Sequence, residues 1–546
     1  MSDDLQLRLA AEADLDAISE IFLEAYGPDY PYQEFYDPQW LRHALYNDDL
    51  IMIVAAAPDG RVLGTASVVF NIGTHSDLVG EFGRLAVHPD ARGRGIGNAL
   101  MNHRVQRVQD RLHVALVDNR TVHPYSQQIS ERFGFRPVGF MPIKHRFQPD
   151  CRESVATYAR HFGPALELRK NHPRLIGDVA TLAHLSMQSL QLSPDIIVDD
   201  SSHPYPADDD FQIYTLQSRH LPHLLRIERG RTRSRHVFGP VQLHQGFFKL
   251  QASHADYLVA HRPSTPPSAI QGALGYIHDK YEHNIRIVEL IAPNDRSIHH
   301  LLRALLSRSR NMGVEYLEVD VSAYAPRLQR TLLDLDFVAA AYVPSMVFEH
   351  VQRLDVIRMA RPLERVATDE LQSVEGMTPF IDHVLDDLDA RRLAADLGSA
   401  LHRSDLFKGL DDDQASRLAR SFHTTAIEAG EPLFKRGDTA HELFLIVDGE
   451  VTVDLHHQDR QLRFGPGQVV GENAMLAEQA HRHSARATDD GRLAILDRHR
   501  LSKLIHRRPD IGLTLYRNLA IGLGNKLHHT DVYFMKGRGP SSSKEG

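Results

Sequence analysis

The chain has 546 residues, 42% hydrophobic and 24% charged, with a formal net charge of −9 at pH 7 and a single cysteine, Cys151. That length exceeds what one core serves and implies several domains; the acidic balance speaks against a nucleic-acid surface, which needs a basic face. One cysteine excludes an internal disulfide and a cysteine-rich metal site, and suits a reducing cytoplasm. No apolar run approaches the roughly 18 residues of a membrane span. MSDDLQLR lacks the basic-then-apolar order of a secretory leader. The 34 histidines show no metal-ligand spacing. The expectation is a cytoplasmic protein with no metal, no membrane and no nucleic-acid partner.

The chain opens with a strand-like Leu5–Leu9 and a helix pattern from Asp14, with Leu15, Ile18, Ile21 and Phe22 on one face. Strands are predicted at Ile51–Ala56 and Val62–Phe70, split by the Pro58-Asp59-Gly60 turn, and at His113–Val117. A helix over Ser126–Phe133 ends at Gly134, a C-cap residue. This alternation implies a mixed α/β sheet. Glu153–Tyr158 would close it, which puts the first domain at 1–163.

Within that domain, residues 84–101 read RLAVHPDARGRGIGNALM. The apolar run Leu85, Ala86, Val87 stops at His88-Pro89; a loop of Arg92, Gly93, Arg94 and Gly95 follows; an apolar periodic stretch starts with Ile96 and Gly97. The order is strand, loop, helix N-terminus. The glycines let the backbone approach an anion, the first N–H groups of the helix point at it, and Arg92 and Arg94 add positive charge. The dinucleotide fingerprint G-x-G-x-x-G is absent. The segment resembles the acetyl-CoA pyrophosphate loop of the GNAT superfamily of N-acetyltransferases, whose Arg/Gln-x-x-Gly-x-Gly/Ala pattern is met by Arg92, Gly95 and Gly97. The resemblance implies acetyl-CoA as co-substrate, with backbone groups of Leu85 and Val87 holding its pantetheine arm like an added strand.

An amine of pKa near 10.4 is nucleophilic at neutral pH in only about one molecule in a few thousand, so the transfer needs a base. In the lysine acetyltransferases of that superfamily a Glu on the strand before the loop serves; counting back from Arg92 places Glu81 there. An exposed edge or substrate-binding carboxylate is the plainer reading of Glu81. The superfamily's usual acid is a Tyr before an element that reads here Glu131-Arg132-Phe133-Gly134-Phe135, but Ser130 stands in its place. Tyr125 and His123 are the alternative acids, or the thiolate leaves unassisted.

From 164 to 350 the same grammar returns: strand Ile285–Ile291, helix Ser297–Ser307, strand Glu315–Val321, helix Arg327–Leu335. LLDLDFVAAAYVP parallels SERFGFRPVGFMP, an internal repeat. Where the first copy has HPDARGRGIG the second has APNDRSIHHL, with no glycine and with Asp295, whose carboxylate would repel a pyrophosphate. The expectation is a degenerate GNAT-like domain. Residues 351–400 read as a charged helical linker, and 537–546 as a disordered tail.

A last domain spans 401–536. Asp411 with Gln414 has capping-box spacing, and short strands then alternate with the turns Arg436-Gly437-Asp438, Asp448-Gly449-Glu450 and Pro466-Gly467. This order resembles the cyclic-nucleotide-binding domain, a β-barrel or jelly roll. Its phosphate cassette is matched by Gly471, Glu472, Asn473, Ala474, Met475 and Leu476, with Arg482 eleven after Gly471. Backbone N–H groups and an arginine fork suit a buried phosphate, and Glu472 can accept from a ribose hydroxyl. The family runs Arg-Ser/Thr-Ala, whereas His483 here precedes Ser484-Ala485, so a second register puts His483 at the arginine position. After the barrel Leu513–Leu527 reads as a helix, with no room for a helix-turn-helix.

The fold class expected is multidomain α/β, a GNAT mixed sheet used twice, plus a C-terminal β-barrel or jelly roll. The function these resemblances imply is acetyl transfer from acetyl-CoA to an amine, protein lysine first, regulated by cAMP or another cyclic nucleotide. The alternatives are a small-amine acetyltransferase and a non-catalytic sensor of both ligands. Oligomeric state is left open.

Overall fold

The computed structural model describes residues 5–522 apart from 29, 31, 71, 149–150, 218–234, 241–253, 264–269, 365, 368–370, 456–459, 473–474 and 476–478. The tail and the last part of the predicted Leu513–Leu527 helix lie outside the described residues; 509–522 is helical. The chain divides into two compact units, 1–385 and 386–546.

The first unit is built on one fifteen-stranded sheet. Its first half comprises β1 (Gln6–Leu9), β2 (Leu50–Ala56), β3 (Val62–Val69), β4 (Val79–Val87), β5 (Val114–Arg120), β6 (Arg136–Gln148) and β7 (Cys151–His161). Helices α1 (Leu15–Tyr26), α2 (Pro38–Leu45), α3 (Ile96–Val108) and α4 (Tyr125–Arg132) cover it. The Asp37 carboxylate caps α2 by accepting from Gln39 N–H at 2.9 Å, and Gly134 ends α4 at φ 79, as its place in the sequence requires.

The second half adds α5 (Gly177–Ser189), β8 (Gln212–Thr215), β9 (Ala255–His261), β10 (Gly272–Asp279), β11 (Asn284–Ile291), α6 (Ser297–Asn311), β12 (Tyr316–Ser322), α7 (Pro326–Asp334), β13 (Val338–Glu349) and β14 (Gln352–Pro362). The strand order is β1-β2-β3-β4-β5-β7-β6-β13-β14-β12-β11-β10-β9-β8, and the fifteenth strand, Val237–Phe238, pairs with β12 off this path. Read outward from the β6–β13 seam, both halves give the same succession, so the repeat is a repeat of topology. The halves meet where Gly139 faces Ala341.

Strand β14 corrects the boundary read from the sequence, because it lies inside the span taken as linker. Its residues Arg353 to Ala360 are all buried. Three of them are charged, which disguised the strand, and each is paired inside. Arg353 donates to the carbonyls of Ser345, Met346 and Asp77 at 2.6–2.8 Å. Asp355 accepts from Arg169 at 2.9 Å, and Arg358 donates to Asp320 at 2.8 Å. Helix α8 (Thr378–Arg403) follows.

The second unit begins within α8 and continues with α9 (Asp412–Ala419), capped by the expected box: Gln414 N–H donates to Asp411 at 2.8 Å and Asp411 N–H to Gln414 at 3.0 Å. Its strands are β15 (Phe422–Ile427), β16 (Pro432–Phe434), β17 (Glu442–Asp448), β18 (Val451–Leu455), β19 (Arg460–Phe464), β20 (Val469–Val470), β21 (Ser484–Ala487) and β22 (Gly491–Asp497), before α10 (Arg498–Arg507). They form two four-stranded antiparallel sheets, β15-β22-β17-β20 and β16-β21-β18-β19. Ile446, Val451, Ala485 and Leu493 share the apolar core of this jelly roll.

Candidate functional site

Strands β4 and β5 begin as parallel neighbours and then part. Val79, Gly80 and Glu81 pair with Val114, Ala115 and Leu116; beyond that point β4 pairs only with β3, and β5 only with β7. A bulge opposite Thr65–Ser67, with Arg84 at φ 53, marks the divergence. The V between the strands leaves backbone groups to which an extended chain can add. Glu81 stands at its apex.

Leu85, Ala86 and Val87 form the β4 side of this cleft. Ala86 is buried, so its side chain serves the core, while the Leu85 carbonyl accepts from the Tyr26 hydroxyl at 3.3 Å. After the turn Pro89–Ala91, Gly93 and Gly95 take φ 77 and 79, and α3 starts at Ile96, which is buried. Arg92, Gly93, Arg94 and Gly95 are exposed. The first N–H groups of α3 have no acceptor within the helix and carry its positive dipole end. A Cβ on Gly93 or Gly95 would meet nothing within 4 Å, so backbone conformation selects glycine there; Gly97 packs tightly, its added Cβ falling 3.1 Å from Ile129 Cδ1. Cleft, glycine turn and helix end together fit an extended thiol arm ending in a pyrophosphate.

A series of neighbouring side chains links Glu81 to Leu85. Glu81 is ion-paired to Arg84 at 3.0 Å, and Arg84 lies 4.2 Å from the centre of the Tyr32 ring. Tyr32 neighbours His145 at 6.0 Å between rings, His145 neighbours Phe147 at 6.1 Å, and Phe147 neighbours Tyr26 at 6.3 Å. Tyr26 returns to Leu85. Arg120, bonded to Glu153 at 2.7 Å, lies 4.2 Å over Phe147. Burial pushes the Tyr26 phenol up and Tyr32 well up, so both remain proton donors. Next to Arg84 a cavity of about 220 Å³ is lined by Glu34, Phe35, Trp40 and His43.

The expected acids are placed unevenly. Ser130 is fully buried; it donates to the Ser126 carbonyl at 3.0 Å and accepts from Asn119 at 2.9 Å, so it belongs to the scaffold. Tyr125 is 69% exposed at the start of α4. His123 is half-buried, its Nδ1 enclosed with no hydrogen-bond partner among the described residues; burial, then Arg120, hold it below the usual histidine range. Tyr26, Tyr32, Arg84, Arg120 and His145 were not anticipated. The closely spaced Tyr26, Tyr30 and Tyr32 were the one available signal.

The second half keeps the frame without this chemistry. By strand register Glu81, opposite Leu116, corresponds to Arg286, opposite Glu318. Its V is filled by its own chain: Val237 and Phe238 pair with Val321 and Asp320, and a Cβ on Gly239 would fall 2.6 Å from the Val288 carbonyl oxygen. We therefore expect calorimetry to give one acetyl-CoA per chain; two would show that the filled cleft opens.

In the second unit Gly471 has φ 89 and accepts from Met475 N–H at 3.1 Å, starting a helical turn that includes Glu472. Asn473, Ala474 and Leu476 lie outside the described residues. The Ser484 hydroxyl accepts from Arg436 N–H at 3.0 Å. Along β21 Ala485 and Ala487 are buried and Arg486 is exposed. Arg482 and His483 precede β21, and their exposure differs in the same sense. Arg482 is indeed exposed and donates to Gln479 at 3.3 Å, while His483 Nδ1 is buried. The geometry favours the second register.

Residues 15–135 match the model of the acetyltransferase (GNAT) family and residues 424–508 that of the cyclic nucleotide-binding domain. The chain carries a GNAT acetyltransferase domain and a cyclic nucleotide-binding domain. The latter is similar to a cyclic AMP receptor protein of Thermus thermophilus, 32% identical over 24% of this chain and 60% of the relative. It is similar also to a putative potassium channel protein of Rhodopseudomonas palustris, 32% identical over 21% of this chain and 28% of that one. The chain thus spans less than two thirds of either curated relative. Part of the chain is similar to a GNAT superfamily phosphinothricin acetyltransferase from Sinorhizobium meliloti solved with AcCoA (26% identity, 30% of this chain, 90% of that chain, TM-score 0.27). Among the described residues no helix is long and apolar enough to cross a membrane, and no group of three or more His, Cys, Asp or Glu could hold a metal ion. In the GNAT domain the V cleft and α3 N-terminus lie within the matched span; His145 and Phe147 lie beyond it.

Proposed function

We propose that the chain transfers the acetyl group of acetyl-CoA to an amine, and that a cyclic nucleotide bound in the C-terminal domain sets the rate. The observation that carries this is the V between β4 and β5 running from Glu81 to the N-terminus of α3. Backbone of Leu85 and Val87 would align the pantetheine arm. Arg92, Gly93, Arg94, Gly95, Ile96 and Gly97 would hold the pyrophosphate, bringing the thioester to the side chains of Glu81, Arg84, Tyr32, His145 and Tyr26. Holding both reactants there replaces a bimolecular encounter by an aligned one. The Glu81–Arg84 pair orients the acceptor, and Tyr26, on the Leu85 carbonyl, can protonate the departing thiolate; His123 is the second candidate for that task, and Tyr125, facing solvent, the least suited.

Aromatic rings beside Glu34 suit a cationic amine, and protein lysine is the acceptor class we favour. The cavity beside Arg84 is the observation that favours a small amine instead. In the second unit Gly471, Glu472 and Ser484 would hold the cyclic phosphate, with His483 in place of Arg482; Asn473 and Ala474 belong to the same cassette by sequence.

Labelled acetyl-CoA incubated with the full chain, with cellular protein, lysine peptides or polyamines, and with or without cAMP or cGMP, tests all of this. The expected result is transfer to lysine that changes about 5- to 150-fold with one nucleotide. His483→Ala should abolish the response and Arg482→Ala preserve most of it. Transfer indifferent to both nucleotides would leave an acetyltransferase with an unused sensor domain. Binding of both ligands without transfer would mark a sensor.

A further inference from the structure

Arg152 on β7 is almost wholly enclosed and ties two pieces of chain together. It donates to the carbonyls of Ile143 and Lys144, at 2.9 and 2.8 Å, and to the carbonyl of Glu282 at 2.7 Å. The first two belong to a bulge in β6 between Met141 and His145, with Ile143 at φ 45; the third belongs to the turn joining β10 and β11 in the second half. The bulge presents His145 and the turn presents Glu282. His145 Nδ1 lies 2.9 and 3.1 Å from the two Glu282 oxygens, and Asn284 Nδ2 donates to the same carboxylate at 2.8 Å.

The other half of the sheet repeats the device and omits the pair. Arg353 corresponds to Arg152, and it donates to Ser345, Met346 and Asp77 as Arg152 does to Ile143, Lys144 and Glu282. By register Val347, opposite Leu354, corresponds to His145, opposite Glu153. Asp77 meets the Phe348 N–H at 3.1 Å and, among the described residues, no histidine. So among the described residues the arginine clamp is common to both halves, whereas the position of His145 is held by Val347 in the half whose cleft is filled. Packing alone would not separate the halves in this way.

We propose that His145, oriented by Glu282, takes the proton of the acceptor amine, so that the second half of the sheet completes the active site of the first. This rests on the acetyl-transfer reading above. With Nδ1 committed to Glu282, Nε2 makes no hydrogen bond to a described residue and is the basic atom left for substrate. Glu81, by contrast, already faces Arg84. The acceptor ammonium gives one proton to Nε2, and the freed amine attacks the thioester carbonyl carbon. The C–S bond then breaks, and the sulfur takes the nitrogen's second proton through Tyr26 or water. The imidazolium returns its proton to solvent. Ammonium and thioester thus become amide, thiol and one proton.

The groups around His145 fix the sign of its pH dependence. Burial favours the neutral ring, but the Glu282 carboxylate outweighs it; Lys144 lowers and Asp118 raises, and the net shift is upward from the usual histidine range. Tyr32 and Phe147 flank it with neutral rings. The rate should therefore rise with pH as His145 loses its proton. Removing the carboxylate should move that limb to lower pH.

Three full-length variants, His145→Gln, Glu282→Gln and Glu81→Gln, decide the matter. Their kcat/KM profiles against pH are set beside histidine ring NMR, in which the His145 signal is identified by its loss in His145→Gln. Expected is a fall of at least about 100-fold in His145→Gln with the limb abolished, and acetyl-CoA affinity by calorimetry within twofold. In Glu282→Gln the kinetic limb and the NMR titration should move down together. A His145→Gln enzyme with the wild-type profile, or loss of the limb in Glu81→Gln instead, overturns the proposal and leaves acetyl transfer standing. Wild-type protein that transfers no acetyl overturns both. If His145→Gln fails to fold, an unshifted limb in Glu282→Gln is the refuting result.

Discussion

Gly95→Asp is expected to lower acetyl-CoA affinity at least 100-fold in a chain that still folds. Gly95 has φ 79, a region L residues enter at about 1–2 kcal/mol, and a Cβ there touches nothing within 4 Å. The substitution is therefore strained but not sterically blocked. Its larger effect falls on the ligand. A carboxylate at the exposed mouth of the α3 N-terminus faces the position of the pyrophosphate, where two unit charges 4 Å apart interact by about 4 kcal/mol near a protein surface. It also accepts the N–H groups that the anion needs. A 100-fold loss corresponds to about 2.8 kcal/mol, within that range. Gly95→Ala carries the strain without the charge and should lose about tenfold or less. Calorimetric titration separates the two; an aspartate variant within threefold of wild type would remove the loop from the acetyl-CoA site.

The parts of this molecule that could be read in the sequence are those whose signal is local. The strand–loop–helix at 84–101, the Gly134 cap and the Asp411–Gln414 box each declare themselves within a few residues, because turn conformation and capping are short-range demands. The repeat was legible in LLDLDFVAAAYVP, since equal burial selects equal apolar spacing. Strand β14 was hidden because Arg353, Asp355 and Arg358 are charged, and only their buried partners, 7 to 276 residues away in sequence, make that tolerable. His145 and Glu282 are 137 residues apart, and neither has a motif around it. Their meeting depends on the pseudo-twofold arrangement of the halves. The registers that put Arg482 or His483 at the phosphate differ by a single residue, a difference that no local sequence signal resolves.

That arrangement hangs on a narrow seam, and Gly139→Ala should break it. The two halves of the sheet join where Gly139 faces Ala341. A Cβ built on Gly139 would lie 2.3 Å from both Ala341 Cα and Ala341 Cβ, and 2.4 Å from the Ala340 carbonyl oxygen. Two of these are backbone atoms inside a strand, so no rotamer change relieves the clash, and the strands must separate. Overpacking that side chains can absorb costs about 1–3 kcal/mol; a clash with a paired backbone should reach the top of that range or exceed it. At about 2–4 °C per kcal/mol for a large domain, the thermal midpoint of the first unit should fall by roughly 10 °C. Gly60→Ala, at a turn with φ 89 and open space around it, should cost far less. The seam also sets how the β10–β11 turn reaches His145. In Gly139→Ala that still folds at low temperature, the rising pH limb should move down as in Glu282→Gln, because a displaced turn withdraws the same carboxylate. A midpoint within 2 °C of wild type, or an unmoved limb in a destabilised protein, would show that the turn holds His145 independently of the seam.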